Sequence, residues 1–375
     1  MNKIKLSNPV RLIAFFLTAV ILVCTFGFTV DGWKIFDNDK NQTSSNDNTP
    51  PPNNGVTPPN VDIPTDSLPE AELPLPEFYN RLTGLACDEA TATKAHLAFV
   101  MNSDMPAYGL SYADLLCEIP IENGGSRYIA FVPNADNLWK VGSITYTRGY
   151  ISNLARYFGA VCISSGSDDV KYYPQCDIKD SLLDLTKASG SHYTEFTNNV
   201  YTNRDLLLSA ITKAGINRQS IPAPTLPYNF TEYNNTIEAG ENSSSTSIKW
   251  SGAGLNGTAE LKFDTQSAEY ILYKNGMPLT DSINGKNLGF TNCFILFADS
   301  IKYDTTECNQ MIMDTIGIGV GFYFSDGYAY SITWSATSDG NISFCDQNGS
   351  KLTVNRGRSY ICYLKSSQMG LLSYE

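Results

Sequence analysis

The spacing of apolar and polar positions changes along the chain, and each change predicts a different element. Residues 12–30 carry no charge and are rich in Leu, Ile, Val and Phe, with Lys3, Lys5 and Arg11 before them and Asp31, Asp37 and Asp39 after. At ~1.5 Å per residue such a helix reaches ~28 Å, about one hydrocarbon core. The basic flank puts residues 1–11 in the cytoplasm and everything after Val30 outside. Two rival readings stand beside this anchor: a cleaved signal peptide, and a lipoprotein signal acylated at Cys24, where Val23 is a poor fit to the small residue expected before the cysteine. Residues 31–77 are dominated by Asn, Asp, Ser, Thr and Pro. A segment so poor in large apolar groups cannot offset the entropy of ordering, which predicts a disordered tether.

Beyond the tether the pattern alternates between short apolar runs and helical spacing. Residues 96–102 (HLAFVMN) predict a strand, and residues 111–118 a helix with Ser111 as cap and Pro120 as stop. Strands follow at 127–132 and 160–164, and helices at 150–158 and 203–214, the last capped by Asn203 and stopped by Gly215. Strands alternating with helices predict an α/β-type domain over 78–221, with parallel pairing expected.

After Pro222 the period shortens. The pairs Asn275-Gly276, Asn284-Gly285, Asp326-Gly327 and Asn348-Gly349 separate runs rich in Tyr, Phe, Ile and Val, which is hairpin chemistry. Phe322 and Phe324 alternate before Asp326-Gly327, and Tyr328, Tyr330, Ile332 and Trp334 after it. Residues 229–364 therefore read as a mainly antiparallel β domain. The fold class is α+β, two domains behind a single N-terminal anchor.

Composition narrows the function. The chain of 375 residues is 42% hydrophobic and 17% charged, with 26 basic and 38 acidic residues and a net charge of −12. Such a surface repels phosphate backbones, so nucleic acid is not an expected partner. No two of the nine cysteines lie closer than 14 residues, which excludes CxxC redox and zinc-ribbon spacing; no metal or cofactor is expected. The eight cysteines beyond the anchor can form disulfides outside the cell, with Cys293 and Cys308 facing across a hairpin, or remain buried free thiols. Only His96 and His192 are present, too few for a multi-histidine metal site, and His96 at a strand start reads as structural. Gly317, Gly319 and Gly321 form GxGxG, but a strand pattern follows instead of the helix that a dinucleotide site needs.

The remaining chemistry is charged groups near strand ends. Glu118 and Glu122 flank Pro120, and Gly124-Gly125-Ser126-Arg127 leads into a strand. Two carboxylates there can serve acid/base chemistry or a cation, or they can simply pair with Arg127 or Arg148. Asp168 follows a strand, where α/β folds often place ligands, and it can equally cap the next segment. Glu118, Glu122, Arg127, Arg148 and Asp168 are the candidate ligand-binding residues; Glu122, Arg127, Arg148 and Asp168 are expected at one cleft.

Several blocks carry a family resemblance: Arg81-Leu82-Thr83-Gly84, residues 109–114, residues 122–127, Val141-Gly142, residues 270–281 with Asn275-Gly276-Met277-Pro278, residues 317–324, Asp326-Gly327, and Ile332-Thr333-Trp334. In this order, over about Arg81 to Leu364, they resemble the YerB-like lipoprotein family, a bacterial domain of unknown function. The resemblance implies an envelope-exposed, two-part protein without an established activity, cofactor or substrate, and supplies no catalytic residue. The chain departs from the family where Gly-Pro-Val-Arg-Ser-Ala-Arg becomes residues 142–148, keeping only the second arginine as Arg148, and where His-Ala-Gly-Gly becomes residues 164–167. A charged pocket in relatives would here be rebuilt.

The leading expectation is a non-catalytic binding module for an envelope protein or glycan, tethered to the cell membrane through residues 12–30. The alternatives are an envelope glycan or peptide hydrolase using Glu118 or Glu122, with Arg127 and Arg148 holding an anionic group, and a structural scaffold.

Overall fold

A computed structural model describes residues 76–167, 181–195, 198–231, 245–253, 257–304 and 309–375. The apolar run at 12–30, nearly all of the tether, Asp168, Cys24, Cys176 and Cys308 lie outside the described residues. Among the described residues no helix is long and apolar enough to cross a membrane.

Among the described residues, three α-helices punctuate a structure made mostly of strands: α1 (Glu89–Thr93), α2 (Gly149–Tyr157) and α3 (Arg204–Lys213). The strands of the N-terminal half are β1 (Leu97–Asn102), β2 (Leu115–Pro120), β3 (Ser126–Val132), β4 (Val141–Ile144), β5 (Val161–Ser164), β6 (Leu182–Asp184), β7 (Tyr193–Glu195) and β8 (Asn199–Thr202). There follow β9 (Asn229–Phe230), β10 (Ser247–Ala253), β11 (Gly257–Asp264), β12 (Glu269–Lys274), β13 (Met277–Pro278), β14 (Gly289–Phe290) and β15 (Asn292–Ala298). The last are β16 (Ser300–Asp304), β17 (Asn309–Met313), β18 (Gly317–Ser325), β19 (Tyr328–Ala336), β20 (Ile342–Cys345), β21 (Thr353–Val354), β22 (Ser359–Lys365) and β23 (Ser373–Tyr374).

One mixed sheet of 13 strands runs β20-β19-β18-β15-β22-β2-β3-β1-β4-β8-β7, with β5 parallel to β1 and β6 parallel to β5. The two halves of the chain meet inside it, because β2 pairs in parallel with β22, Leu115 opposite Ser359 through Glu118 opposite Cys362. A second sheet, β13-β12-β11-β10-β23 with β14 beside β12, is antiparallel throughout. Its inward side chains Trp250, Leu261 and Leu272 share a core with Phe99, Leu116 and Tyr360 of the large sheet. The opposite face of the large sheet packs α2 against Ala98, Cys117, Ile129 and Phe131.

The expected helix over 111–118 is instead a 3₁₀ turn, Leu110–Tyr112, followed by β2. A strand covered on both faces has apolar residues at every position, and such a run imitates helical spacing; β2 is buried along its whole length between β3 and β22. Parallel pairing is present at β1–β5 and β5–β6, while β1–β3 and β2–β3 are antiparallel, so the expected parallel pairing holds only in part and the N-terminal half is mixed. Asp326-Gly327, with φ of 53° and 79°, turns the β18–β19 hairpin. The glycines of GxGxG lie on β18: a Cβ at Gly319 would stand 2.4 Å from Trp334 Nε1, and one at Gly321 2.7 Å from the Ile295 carbonyl oxygen. They make room for a tryptophan and a neighbouring strand. The six described cysteines, among them Cys293 near the start of β15, are free thiols.

Candidate functional site

Strand parity divides the charged residues between the two faces of the large sheet. On β2, Leu115, Cys117 and Ile119 point to the α2 side and Leu116 to the second sheet, which puts Glu118 between the sheets. On β3, Tyr128 faces the second sheet while Ile129 and Phe131 face α2, which puts Arg127 on the α2 side. Glu118 and Arg127 therefore lie on opposite faces.

Glu118 is 2% exposed and fully engaged. Its Oε1 accepts from Lys274 Nζ (2.7 Å) and Ser126 Oγ (2.7 Å), and its Oε2 from Lys274 Nζ (2.6 Å) and Tyr360 OH (2.5 Å). Lys274 ends β12, so this ion pair clamps the second sheet onto β2. Burial, reinforced by Cys362 and Glu118, pushes the Tyr360 phenol well up, keeping it a donor.

On the other face, Glu122 follows β2 in a tight turn where Asn123 and Gly124 adopt φ of 58° and 76°. Both its oxygens accept from the Arg148 guanidinium, through Nη1 and Nη2. Burial alone would raise the Glu122 carboxyl, but the Arg148 bonds hold it below its ordinary value; burial alone would lower Arg148, but Glu122, Tyr150 and Tyr146 carry it upward. Arg148 Nη2 also donates to Tyr146 OH at 2.9 Å.

Arg127 approaches the same tyrosine from elsewhere. Its guanidinium carbon lies 5.1 Å from the Tyr146 ring centroid and that of Arg148 5.3 Å, so the two cations share one ring. Arg127 Nη1 donates to the Ser126 carbonyl (3.2 Å) and to Asn102 Oδ1 (3.4 Å), while its buried Nε makes no hydrogen bond. Three Lys or Arg residues are buried among the described residues: Lys140 pairs with Glu195, Arg148 with Glu122, and Arg127, 7% exposed, has no carboxylate within 4 Å among them. Partial burial raises the carboxyl of Asp104, although the positive charge of Arg127 acts to lower it.

The edge that holds Arg127 is also where the parallel strands β1 and β5 end. The segment after β4 inserts there: Thr145 N donates to the Val100 carbonyl, Ser165 N to Thr145, and Thr147 N to Gly166. Helix α2 then begins with Arg148 as N-cap, and no side chain caps it. Ser164 closes β5 on the α2 side, as parity with Cys162 requires; it is fully buried and its Oγ has no hydrogen-bond partner.

Of the candidates, Glu122, Arg127 and Arg148 are thus brought together, Glu118 is held apart on the opposite face, and Asp168 lies outside the described residues. The two carboxylates do not face a common space, unlike the pair a glycosidase needs. Tyr146, Ser164, Lys274 and Tyr360 were not anticipated as site residues. Nothing local in the sequence marks Lys274 or Tyr360 as partners of Glu118, whereas Ser164 at a strand end was readable from the 160–164 run.

The joined sheets and this polar edge define a β-rich, two-part protein whose halves share one sheet. Residues 82–217 match the family described as "Protein of unknown function (DUF3048) N-terminal domain", and residues 247–361 its C-terminal domain. The chain belongs to this YerB-like family. It is 23% identical over 268 residues to "Putative lipoprotein YerB" of Bacillus subtilis (strain 168), covering 68% of this chain and 76% of that one. The crystal structure of the YerB protein from Bacillus subtilis superposes with a TM-score of 0.65 at 20% identity, over 79% of this chain and 98% of that chain, which shows a shared fold.

Proposed function

We propose that this protein is a non-catalytic ligand-binding module of the cell envelope, held at the outer face of the membrane by its N-terminal segment. The observation that carries the reading is Arg127, a buried cation with no carboxylate within 4 Å among the described residues. A buried cation without a carboxylate in contact is costly, and a ligand that brought a negative charge would offset that cost. The lipoprotein name borne by the Bacillus subtilis relative supports the envelope location, as does the basic flank of the uncharged run at 12–30. Glu118 and Glu122 already hold cations, which favours binding over the hydrolase alternative.

The test is paired. Full-length wild type and Arg127→Gln are compared for melting temperature and for capture of components from solubilised envelope. The proposal expects similar melting and capture that is strong for wild type and weak for the variant. Equal capture by both, or no capture by wild type, overturns it.

A further inference from the structure

We infer that the half of the β18–β19 hairpin away from its turn is a self-association surface, where two copies of this chain stack sheet on sheet about a two-fold axis. The inference stands apart from the Arg127 reading. Strand parity defines the face. Gly319 and Gly321 pair with Trp334 and Ile332 on the α2 side, so Ile318, Val320, Phe322 and Phe324 point the other way. Their cross-strand partners Ser335, Thr333, Ser331 and Ala329 share that face, and Cys345 and Ser343 of β20 extend it opposite Thr333 and Ser335. The second sheet covers only the part near the turn, where the Tyr374 ring centroid of β23 lies 5.5 Å from that of Phe322 and 5.6 Å from that of Phe324. Beyond Phe322 the face is open, with Val320 47% and Ile318 71% exposed and with Ser331 and Thr333 exposed beside them.

Charge selects the occupant. None of these side chains is charged, and the first charge in register is Lys351, opposite Cys345 at the rim. A chain of net charge −12 repels its own copies, and an uncharged face is where two of them can approach at the least cost. A strongly charged partner or an anionic lipid surface would be met by complementary charge, and this face offers none. The contact also continues an interface that the molecule already makes, since the same face packs against the second sheet at Phe322 and Phe324.

Shape agrees. On the open half, β18 presents a ridge of Ile318 and Val320, and β19 a trough of Ser331, Thr333 and Ser335. Turning one copy by a half-turn about an axis that runs along the strands, between β18 and β19, lays the ridge of each copy over the trough of the other. Val320 then faces Thr333 of the second copy and Ile318 faces Ser335, in the aligned packing at ~10 Å that β-sandwiches use. Two aliphatic residues per copy make a small patch, which fits a dimer that dissociates on dilution and not an obligate one.

The experiment is size-exclusion chromatography of the detergent-purified full chain with light-scattering, absorbance and refractive-index detection, which gives protein mass and bound detergent separately. The expected wild-type mass rises from one copy to two as the loading concentration is raised. Val320→Lys and Thr333→Glu should each weaken dimerisation by about 10-fold or more, because each buries an unpaired charge at the contact. Mixing the two variants in equal amounts should restore the dimer, since the register sets position 320 of one copy against position 333 of the other and the opposite charges then pair. Both positions are exposed, so each variant should melt within about 2 °C of wild type. A wild type that stays monomeric, or a dimer that both variants keep, overturns the inference. Variants that dissociate but do not recover on mixing overturn the two-fold register. A monomeric wild type that loses bound detergent on Val320→Lys would give the face to a lipid surface instead.

Discussion

Replacing Lys274 with methionine should destabilise the protein more than its position at the end of a strand suggests. Lys274 Nζ touches both oxygens of Glu118, at 2.7 and 2.6 Å, and its side chain is 18% exposed against 2% for Glu118. The substitution keeps the aliphatic stem and removes only the charge, leaving a carboxylate buried between two sheets. Breaking a buried pair from one side costs about 3–5 kcal/mol. Tyr360 and Ser126 still donate to Glu118, which places the expected loss near the lower end, about 3 kcal/mol. Removing both charges in Glu118→Gln/Lys274→Met should restore most of it, because a neutral amide can still accept from both hydroxyls and nothing charged is left buried. Urea unfolding followed by tryptophan fluorescence suits the pair, since Trp250 lies in the same core with its ring 6.4 Å from that of Tyr360. A Lys274→Met loss below about 1 kcal/mol, or additive single-variant losses, would refute a coupled buried pair.

Two further outcomes follow from the same geometry. Asp281 is fully buried and accepts from Gly109 N (3.0 Å), Ser111 N (2.8 Å), Ser111 Oγ (2.5 Å) and Ile283 N (2.9 Å). Asp281→Ala orphans these donors and should cost about 3 kcal/mol or more in urea unfolding, with Asp281→Asn costing less; a loss below about 1 kcal/mol contradicts this. Glu122 titrates below its ordinary value because the Arg148 bonds outweigh burial. Its contribution is therefore fully present above about pH 4.3 and fades as pH falls through the lower folded value. The melting-temperature gap between wild type and Glu122→Gln should shrink as pH is lowered from about 5 to about 3, and a constant gap would contradict the assignment.

Local pattern carried much of the fold. The apolar run before Asn102 became β1, Asn203 caps α3 by accepting from Leu206 N, and Asp326-Gly327 turns a hairpin. The misreading at 111–118 has a physical cause, since a strand with both faces covered loses the alternation that distinguishes it from a helix. Long-range pairing left no local trace: the β2–β22 ladder joins residues more than 240 positions apart. The same holds for Glu118, whose partners Lys274 and Tyr360 arrive from 156 and 242 residues away. Gathering Glu122, Arg127 and Arg148 at one edge was readable from strand and helix ends, but separating Glu118 from them required the register, in which Ile119 faces Arg127 and Glu118 faces Tyr128.

Arg127 gives the most direct test of the central claim that the α2 edge is kept for a ligand. The measurement is the melting temperature of full-length Arg127→Met against wild type in ligand-free buffer. A cation retained for binding burdens the empty protein, so its removal should leave the melting temperature within about 3 °C or raise it, the burial cost of the charge offsetting the lost contacts to Tyr146, Asn102 and Ser126. A fall of about 6 °C or more, comparable to that of Lys274→Met, would mean that Arg127 serves the fold and would contradict the account.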